Sequence, residues 1–287
     1  MNDTECVDFL RWLLPRLHFR WAGFRRVRGQ VCKRFRRRFS ELGLTSADAY
    51  RDYLRQHPDE MSVADFLCRV TISRFNMDRG VFAYLGDTVL TELCAHARAR
   101  GRSELTAWSA GCASGEEPYT LALVWHFRVA RCRPAIGFRI LGTDIDEVVL
   151  ERARQARYAP GSLNDLPRCW VASAFDVSPD GGHCRLKDEI SRYVRFHKHD
   201  LREGPPSGKF DLVLCRNLAF TYFDQPLQCA VAAGVHRALR EGGMLVIGQH
   251  EKLPEAVNGF TSLSDTHRVY RRDNSGADKT PGSRPQC

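Results

Sequence analysis

The sequence predicts an α/β protein in which a parallel sheet carries helices on both faces and follows a small all-helical region. From about residue 105 onwards, short apolar runs alternate with stretches of helical periodicity, which is typical of parallel strands joined by crossover helices. Before that point, apolar residues recur at helical spacing only. The length of 287 residues is enough for one medium domain and a small partner domain.

The N-terminal part of the chain reads as a set of helices. Apolar residues at helical spacing predict helices over 31–42, 46–56, 62–71 and 79–100. Ser46 is placed to cap the second helix, Pro58 ends it, and Gly101 closes the fourth. We assign residues 1–75 to a helical N-terminal domain.

Strands are predicted in the rest of the chain, over 105–110, 138–143, 193–198, 210–215 and 244–248. Helices are expected from Glu116, from Asp146 as N-cap, and over about 226–240, and a hairpin over 260–270 closes the fold. In doubly wound sheets, ligands bind at the carboxyl ends of the strands. We therefore expect the functional residues directly after the first four of these strands.

This second domain is expected to span residues 76–272. The tail over 273–287, rich in Ser, Gly, Pro and charged residues, is expected to be disordered. No apolar run approaches the roughly 20 residues that span a bilayer. The N-terminal stretch has acidic residues where a signal peptide carries positive charge. These features predict a cytoplasmic protein without a transmembrane segment.

Basic residues are concentrated near the N-terminus, and the formal net charge is +9. Between Asp8 and Glu41 there is no acidic residue. The basic block over 16–38 contains Arg16, Arg20, Arg25, Arg26, Arg28, Lys33, Arg34, Arg36, Arg37 and Arg38. Such an uncompensated block predicts docking on an acidic partner, which could be nucleic acid, anionic lipid or an acidic protein surface. The alternative is a solvated helix face with no partner.

The cysteine pattern gives no sign of a metal centre. The eleven cysteines include no C-x-x-C pair, and no Cys/His cluster has the spacing of a zinc site. His197 and His199 alternate at a predicted strand end and would supply at most two ligands. We expect no metal, and cysteines that are reduced and mostly buried thiols.

The first functional segment is WSAGCASGEEPYTLA, which follows the first strand. Gly111 permits close approach of the backbone to a ligand. The pattern is neither G-x-G-x-x-G nor a P-loop, so a phosphate is not the expected ligand. Glu116 and Glu117 open the next helix, where a carboxylate can accept from an amino group and attract a cation. S-adenosylmethionine fits because it carries an ammonium and a sulfonium but no phosphate; the alternative is that both acids complement the helix dipole.

Polar residues also follow the later strands. Asp144, in GTDID, is placed to accept both ribose hydroxyls of an adenosine. Asp200, in KHDLRE, could receive the adenine amino group or be a surface acid. In FDLVLCRNLAFTYFD, Arg216 and Asn217 end a strand. A buried pair of this kind is costly without partners, which favours a role in the site.

These segments, together with REGGMLVIGQHE, resemble the CheR family of chemoreceptor glutamate methyltransferases from about residue 20 to 270. The resemblance implies a Rossmann-like sheet that binds S-adenosylmethionine, a small helical N-terminal domain, and a small β-subdomain inserted at about 158–190 with a turn over 179–182. It also implies that the insert can tether a receptor tail. The basic helices over 16–38 would then face the acidic, glutamate-rich methylation region of the receptor.

The resemblance also implies which residues form the site. The family's cofactor contacts fall on Thr71, Ser73, Glu117, Asp144, Asp200, Leu201, Arg216 and Asn217. Tyr222 takes the place of the active-site tyrosine. Met77, Gly111 and Glu116 complete the expected cofactor site.

The sequence departs from the family pattern in two places. The family's T-x-F-F-R-[DE]-x3-F segment reads SRFNMDRGVF, which puts Met77 where the family has its active-site arginine. One extra residue separates CRN from YFD. We expect Arg79, or failing that Arg74, to supply the missing guanidinium, because methionine cannot hold a carboxylate by a bidentate fork.

The expected activity is methyl transfer to a glutamate side chain. A glutamate carboxylate is ionised at neutral pH and needs no general base, so alignment of the reactants is the main requirement. One alternative, motivated by Met77, is a cofactor-binding regulatory protein that has lost transfer activity. Another is a nucleic-acid methyltransferase. The basic composition favours it, but CRNLAF lacks the D/N-P-P-Y/F segment that grips an amino group.

Overall fold

A computed structural model describes residues 2–71, 73–132 and 135–273 of the chain. Internal contacts divide it into two units, Met1–Ile72 with Thr221–Leu227, and Ser73–Phe220 with Gln228–Cys287. From residue 274 on, the tail expected to be disordered lies outside the described residues. The Asp273 N–H donates to the Gly259 carbonyl at 2.9 Å, so the fold includes the first residue of that tail. None of the helices in the described ranges is both long and apolar enough to cross a membrane.

In the first unit, five helices lie within the described residues 2–71. They are α1 (Asp3–Leu13), α2 (Trp21–Phe24), α3 (Arg28–Glu41), α4 (Ala47–Gln56) and α5 (Glu60–Cys68), with a 3-10 turn over Leu14–Leu17. Ser46 caps α4 by accepting from the Ala49 N–H at 3.1 Å, as predicted. The helix predicted over 62–71 begins two residues earlier and ends at Cys68, because Arg69 turns to an extended conformation.

Aromatic rings pack the centre of the first unit. Phe9 lies within 6 Å of Phe35, Phe39 and Tyr50, with ring centroids 5.0, 5.8 and 5.8 Å away. A disulfide joins Cys6 on α1 to Cys32 on α3, whose Cα atoms are 6.0 Å apart. The expectation of reduced thiols throughout is wrong for this pair. Among the residues that the structure describes, the free cysteines are Cys68, Cys94, Cys112, Cys132, Cys169, Cys184, Cys215 and Cys229.

Part of the basic block is neutralised inside the first unit. Arg38 binds the buried Glu60 through two hydrogen bonds of 2.8 and 2.6 Å. Surface pairs Arg28–Asp3 and Arg37–Glu41 neutralise two more charges. The expectation of an uncompensated block is therefore wrong for these three arginines, because their acidic partners come from outside the block. Within the described residues, the exposed side chains without an acidic partner include Arg25, Arg26 and Lys33.

The second unit contains a seven-stranded sheet. Its strands are β1 (Glu104–Ala110), β2 (Gly137–Asp144), β6 (Val194–Lys198), β7 (Phe210–Cys215), β8 (Leu239–Ile247), β9 (Phe260–Ser264) and β10 (Val269–Arg272). The spatial order is β6-β2-β1-β7-β8-β10-β9. The first five are parallel, and β10 runs antiparallel to both of its neighbours. The order reverses between β1 and β7, where doubly wound sheets bind their ligands.

A smaller antiparallel sheet interrupts this arrangement. Its strands are β3 (Arg157–Tyr158), β4 (Phe175–Val177) and β5 (Cys184–Leu186), in the order β3-β5-β4. The turn before β5 places Gly181 at a φ of 67° and hydrogen-bonds the Gly182 N–H to Asp180. This sheet occupies the region where the insert was expected.

The helices of the second unit follow the predicted alternation. They are α6 (Arg79–Tyr84), α7 (Leu90–Ala99), α8 (Glu116–Val124), α9 (Glu147–Gln155), α10 (Arg168–Ala174), α11 (Asp188–Ser191), α12 (Ala219–Tyr222) and α13 (Gln225–Ala238), the last two crossing the boundary between the units. π-helical turns over Leu85–Val89 and Trp125–Val129 connect α6 to α7 and extend α8. Asp146 caps α9, as predicted. The predicted fold class is confirmed.

Candidate functional site

The loop after β1 lies against the end of β2. The N–H groups of Gly111 and Cys112 both donate to the Thr143 carbonyl, at 2.8 and 2.9 Å. The next N–H, that of Ala113, donates to Asp144 Oδ2 at 2.9 Å, and the Asp146 N–H donates to Oδ1 at 3.0 Å. Two backbone donors therefore fix the Asp144 carboxylate at the carboxyl end of its strand.

Two glycines permit this path of the loop. Gly111 has a φ of 72°, and a Cβ there would lie 2.3 Å from Cδ2 of Leu218. Gly115, the residue before α8, has a φ of 90°, and its Cβ would lie 2.9 Å from that of Ala153. An L side chain is strained at both positions. The two glycines therefore keep the backbone close to the end of the sheet.

Glu117 is the best-anchored acid at the start of α8. Ser109 Oγ donates to Oε1 at 2.8 Å, and Arg216 Nη1 donates to Oε2 at 3.1 Å. Burial raises the pKa of Glu117, although the Arg216 charge opposes that shift. Each carboxylate oxygen has two lone pairs and accepts from one of these donors, which leaves capacity for an incoming ammonium.

Arg216 ties three segments of the second unit together. Its side chain is 1% exposed and also donates through Nη2 to Asp78 Oδ2 at 2.5 Å. The same nitrogen donates to the Met77 carbonyl at 3.3 Å, and the guanidinium lies 5.2 Å from the centre of the Phe82 ring. Asp78 was missed by the sequence reasoning. It occupies the acidic position of the T-x-F-F-R-[DE]-x3-F segment, which was the available signal.

Glu116 has different surroundings from its neighbour. It is 7% exposed, and within the described residues its Oε2 has no hydrogen-bond partner. Burial raises the pKa of this carboxyl, while a hydrogen bond from the Ser73 side chain opposes the shift. Two of the expected cofactor residues, Ser73 and Glu116, are therefore in contact with each other.

The end of β6 carries the expected pair Asp200 and Leu201. The Asp200 carboxylate binds the Arg202 side chain, with Nη2 at 2.8 Å and Nε at 3.0 Å, and also accepts from the Arg202 N–H. Leu201 is buried. In this structure the acid expected to receive the adenine amino group is bound by its neighbour two residues on.

Asn217, after β7, is held by an acid that the sequence reasoning did not assign. Its backbone, at a φ of 56°, donates an N–H to Glu251 Oε2 at 2.9 Å. The Gly248 N–H, after β8, donates to the same oxygen at 2.5 Å. Glu251 is 3% exposed and so joins the ends of two neighbouring strands. It is the last residue of REGGMLVIGQHE, a segment already noted in the sequence.

The expected substitutes for the missing arginine both point to one acid of the insert. Arg79 Nη2 lies 2.7 Å from Asp165 Oδ1, and Arg74 Nη1 lies 3.9 Å from Oδ2. The half-buried Met77 contributes its carbonyl to Arg216. Arg79 is therefore hydrogen-bonded to Asp165, whereas Arg74 makes only a long ion pair with the same carboxylate.

The two remaining expected residues, Thr71 and Tyr222, belong to the first unit. The Tyr222 ring packs on Phe24 with centroids 5.1 Å apart, and its carbonyl accepts the Arg20 N–H at 2.8 Å. Thr71 is exposed and lies outside the helices. Across the described ranges, no group of three His, Cys, Asp or Glu side chains could hold a metal ion.

A family model described as the CheR methyltransferase SAM-binding domain matches residues 71–269, which include Glu117, Asp144 and Arg216. The chain belongs to the CheR methyltransferase family. It is a methyltransferase, and its cofactor is S-adenosylmethionine. Glu117 has acceptor capacity for an ammonium, and no P-loop is present to hold a phosphate.

Named relatives span most of this CheR chain. A probable chemotaxis protein methyltransferase of Rhizobium etli is 30% identical over 255 residues, 86% of this chain and 92% of that protein. A chemotaxis protein methyltransferase of Escherichia coli is 29% identical over 252 residues, covering 86% and 84%. An uncharacterized 104.1 kDa protein of Rhodobacter capsulatus is 30% identical over 249 residues, 87% of this chain. The chain spans 26% of that longer relative.

Proposed function

We propose that this chain transfers the methyl group of S-adenosylmethionine to glutamate carboxylates of a chemoreceptor-like protein. The observation that carries the proposal is the anchored Glu117 carboxylate, held by Ser109 and Arg216 at the start of α8. Such a group recognises the ammonium of an amino-acid cofactor. The relatives support the pathway: one is a probable chemotaxis protein methyltransferase of Rhizobium etli, and another is a chemotaxis protein methyltransferase of Escherichia coli.

The bound cofactor supplies an electrophilic methyl group on a sulfonium. The chain's residues bind and orient it. Glu117 accepts from the amino group, and Asp144, fixed by two backbone N–H groups, accepts from the ribose hydroxyls. Gly111 allows the backbone to approach, and the Asp200–Leu201 segment borders the base. No residue has to remove a proton, because the substrate glutamate is already ionised at neutral pH.

Alignment of the substrate carboxylate is the remaining task. Good alignment lowers a barrier by several kcal/mol, on the order of 7–11 in favourable cases. We assign this role to the Arg79 guanidinium, with Arg74 as the substitute and the Tyr222 hydroxyl as a second donor. Arg79 would exchange the Asp165 carboxylate for that of the substrate. One carboxylate replaces another in this exchange. The Arg79 side chain is 64% exposed, so a substrate can reach it.

Recognition of the protein substrate is assigned to the basic N-terminal helices. Arg25, Arg26 and Lys33 are exposed and have no acidic partner within the described residues, so they can pair with the glutamates of a receptor helix. Arg38 is excluded from this surface by its bond to Glu60. The same positive charge would also attract nucleic acid. However, the segment CRNLAF at the end of β7 lacks the D/N-P-P-Y/F residues that would hold the amino group of a base.

The test is an ester assay with radiolabelled cofactor and glutamate-rich cytoplasmic fragments of receptors. Methyl groups released as methanol by alkali would identify a glutamate ester. Arg79→Ala should abolish ester formation and leave S-adenosylhomocysteine binding nearly intact, whereas Arg139→Ala, a change at an exposed arginine of β2, should alter neither. Unchanged turnover in the Arg79 variant would remove that residue from the mechanism.

The second candidate is a regulatory protein that binds the cofactor without transferring its methyl group. Met77 is the observation that favours it, because the family places an arginine there. Cofactor binding without any alkali-labile ester on the receptor fragments would support this candidate. Methylation of a base in RNA or DNA, with binding that weakens steeply as salt rises, would instead indicate a nucleic-acid substrate.

A further inference from the structure

A cavity of about 420 Å³ lies in the second unit between α6, the π-helical turn that extends α8, and the segment that leads into α10. Its volume is in the range of small-molecule sites, about 300–1,000 Å³. The lining residues used below are Arg79, Arg128, Asn164, Asp165, Arg168 and Trp170. None of the proposed cofactor contacts lines it.

The cavity includes Arg79, which we propose to orient the substrate, but its far end is distant from the ammonium acceptor Glu117. Glu117 stands in the first turn of α8, at the carboxyl ends of the strands. Val124 and Arg128, which line the cavity, follow on the same continuous helical segment. Eleven residues separate Glu117 from Arg128, which is about 16 Å at the ordinary helical rise. A ligand in the cavity therefore would not compete with the cofactor for Glu117.

The charge of the cavity is positive. Arg79 is neutralised by Asp165 at 2.7 Å, whereas Arg168 is exposed and has no acidic partner within the described residues. Arg128 pairs with Asp87 at 2.9 Å, but the Asp87 side chain is 65% exposed. Exposed ion pairs of this kind contribute little to stability, so an anionic ligand can readily take the place of Asp87. Two guanidiniums are thus available to an anion.

One aromatic ring, that of Trp170, lies beside these arginines in the lining of the cavity. The rings of Phe127 and Trp170 stack with centroids 5.1 Å apart and an interplanar angle of 16°. The Arg128 guanidinium lies 5.7 Å from the centre of the Trp170 ring. Phe127 and Arg128 belong to the π-helical turn Trp125–Val129, and such turns occur frequently at functional sites. A planar ring beside two guanidiniums suits a nucleotide, because the ring can stack with the base and the guanidiniums can bind the phosphate.

We propose that this cavity binds a ribonucleoside 5′-monophosphate. The phosphate pairs with Arg128 and Arg168, the base stacks with Trp170, and the amide of Asn164 meets the polar edge of the base. A simple carboxylate ligand would carry the negative charge but has no ring, so it would leave the Trp170 ring without a stacking partner. The proposal goes beyond methyl transfer to glutamate, although the cavity shares Arg79 with the proposed substrate site.

The test is calorimetric titration of the full chain with AMP, GMP, CMP and UMP, each in saturating S-adenosylhomocysteine so that the cofactor site is filled. At least one nucleotide should bind saturably. Arg168→Ala should weaken its binding about tenfold, the effect of losing one charged hydrogen-bond partner. Trp170→Leu should weaken it about tenfold by removing the stacking surface. Arg185→Ala is the matched control and should bind as the wild type does.

Two results would overturn the proposal. One is the absence of saturable binding by all four nucleotides. The other is unchanged affinity in both Arg168→Ala and Trp170→Leu, which would place the nucleotide elsewhere. Inorganic phosphate serves as a probe of the anion alone: if it binds as tightly as the best nucleotide, the base contact is wrong. Arg168 is the exposed first residue of α10, so its replacement tests the site without disturbing the core.

Discussion

Arg216 Nη1 lies 3.1 Å from Glu117 Oε2, and the other terminal nitrogen of the same guanidinium reaches Asp78. The residue after β7 therefore joins the first turn of α8 to the loop before α6. Because the Arg216 side chain is 1% exposed, removing either carboxylate leaves a buried charge with fewer partners. The bond explains how the proposed ammonium acceptor is kept in one orientation.

Replacing Glu117 by glutamine should weaken S-adenosylhomocysteine binding about tenfold or more, because a hydrogen bond between two charged groups becomes one to a neutral amide. Isothermal titration calorimetry measures the change. Glu147→Gln, at an exposed acid of α9, is the control and should bind normally. Wild-type affinity in the Glu117 variant would remove this residue from the cofactor site.

Cofactor affinity should depend on pH in a defined direction. Burial raises the pKa of Glu117 above its ordinary range, and only the ionised form attracts an ammonium. Binding should therefore be strongest at neutral and higher pH and fall on acidification, beginning above the pH at which an exposed glutamate titrates. Titrations between pH 8 and about 5 test this. The Glu117→Gln variant should lose the dependence, and an equal slope in both proteins would contradict the assignment.

Met77→Arg should increase ester formation. The substitution restores an arginine at the family's position, next to Asp78 and on the loop that Arg216 holds. A bidentate fork there would orient the substrate carboxylate. The initial rate of alkali-labile methylation, compared with the wild type, checks the effect. Met77→Leu is the matched control and should leave the rate unchanged. An equal or slower rate in the arginine variant would show that a second guanidinium, in addition to that of Arg79, does not help to orient the substrate.

The first unit should depend on the pair formed by Arg38 and Glu60. Arg38→Ala leaves the buried Glu60 carboxylate with the hydrogen bond from the Tyr50 hydroxyl and should lower the free energy of unfolding by about 2 kcal/mol. Arg37→Ala, at an arginine that is 84% exposed, should have no measurable effect. Urea denaturation compares the variants. An equal midpoint for all three proteins would show that the pair is dispensable.

The Arg38–Glu60 pair should also make the free energy of unfolding depend on pH. Here the cause is a lowered pKa, whereas the pKa of Glu117 is raised. The hydrogen bond from Arg38 lowers the pKa of Glu60 below its ordinary value. A carboxyl with a lowered pKa in the folded state stabilises above its unfolded pKa, and this contribution is lost as pH falls through the folded value. The difference in stability between wild type and Arg38→Ala should therefore narrow in acid.

The strands of the sheet were predictable because each is a short apolar run with clear ends. The predicted 210–215 strand is β7, Phe210–Cys215, and all six of its residues are buried. The caps at Ser46 and Asp146 were also predictable, since a capping side chain reaches only two or three residues along the chain. Local chemistry of this kind can be read from sequence alone.

Features that join distant segments could not be read in this way. The Cys6–Cys32 disulfide and the Arg38–Glu60 pair each link residues more than 20 positions apart, with no spacing pattern to mark them. Glu251 and Asp78 stood in recognised motifs, but their tasks depend on which strand ends they meet. The pairing of Arg79 with Asp165 likewise depends on where the insert folds.

The most direct test of the central claim is calorimetric titration of the wild-type chain with S-adenosylhomocysteine, alongside Asp144→Asn. Saturable binding to a single site is predicted, with weaker binding in the variant because its amide can no longer accept both ribose hydroxyls. An absence of binding at millimolar concentration, or identical affinity in Asp144→Asn and Glu117→Gln and wild type, would contradict the account of the site.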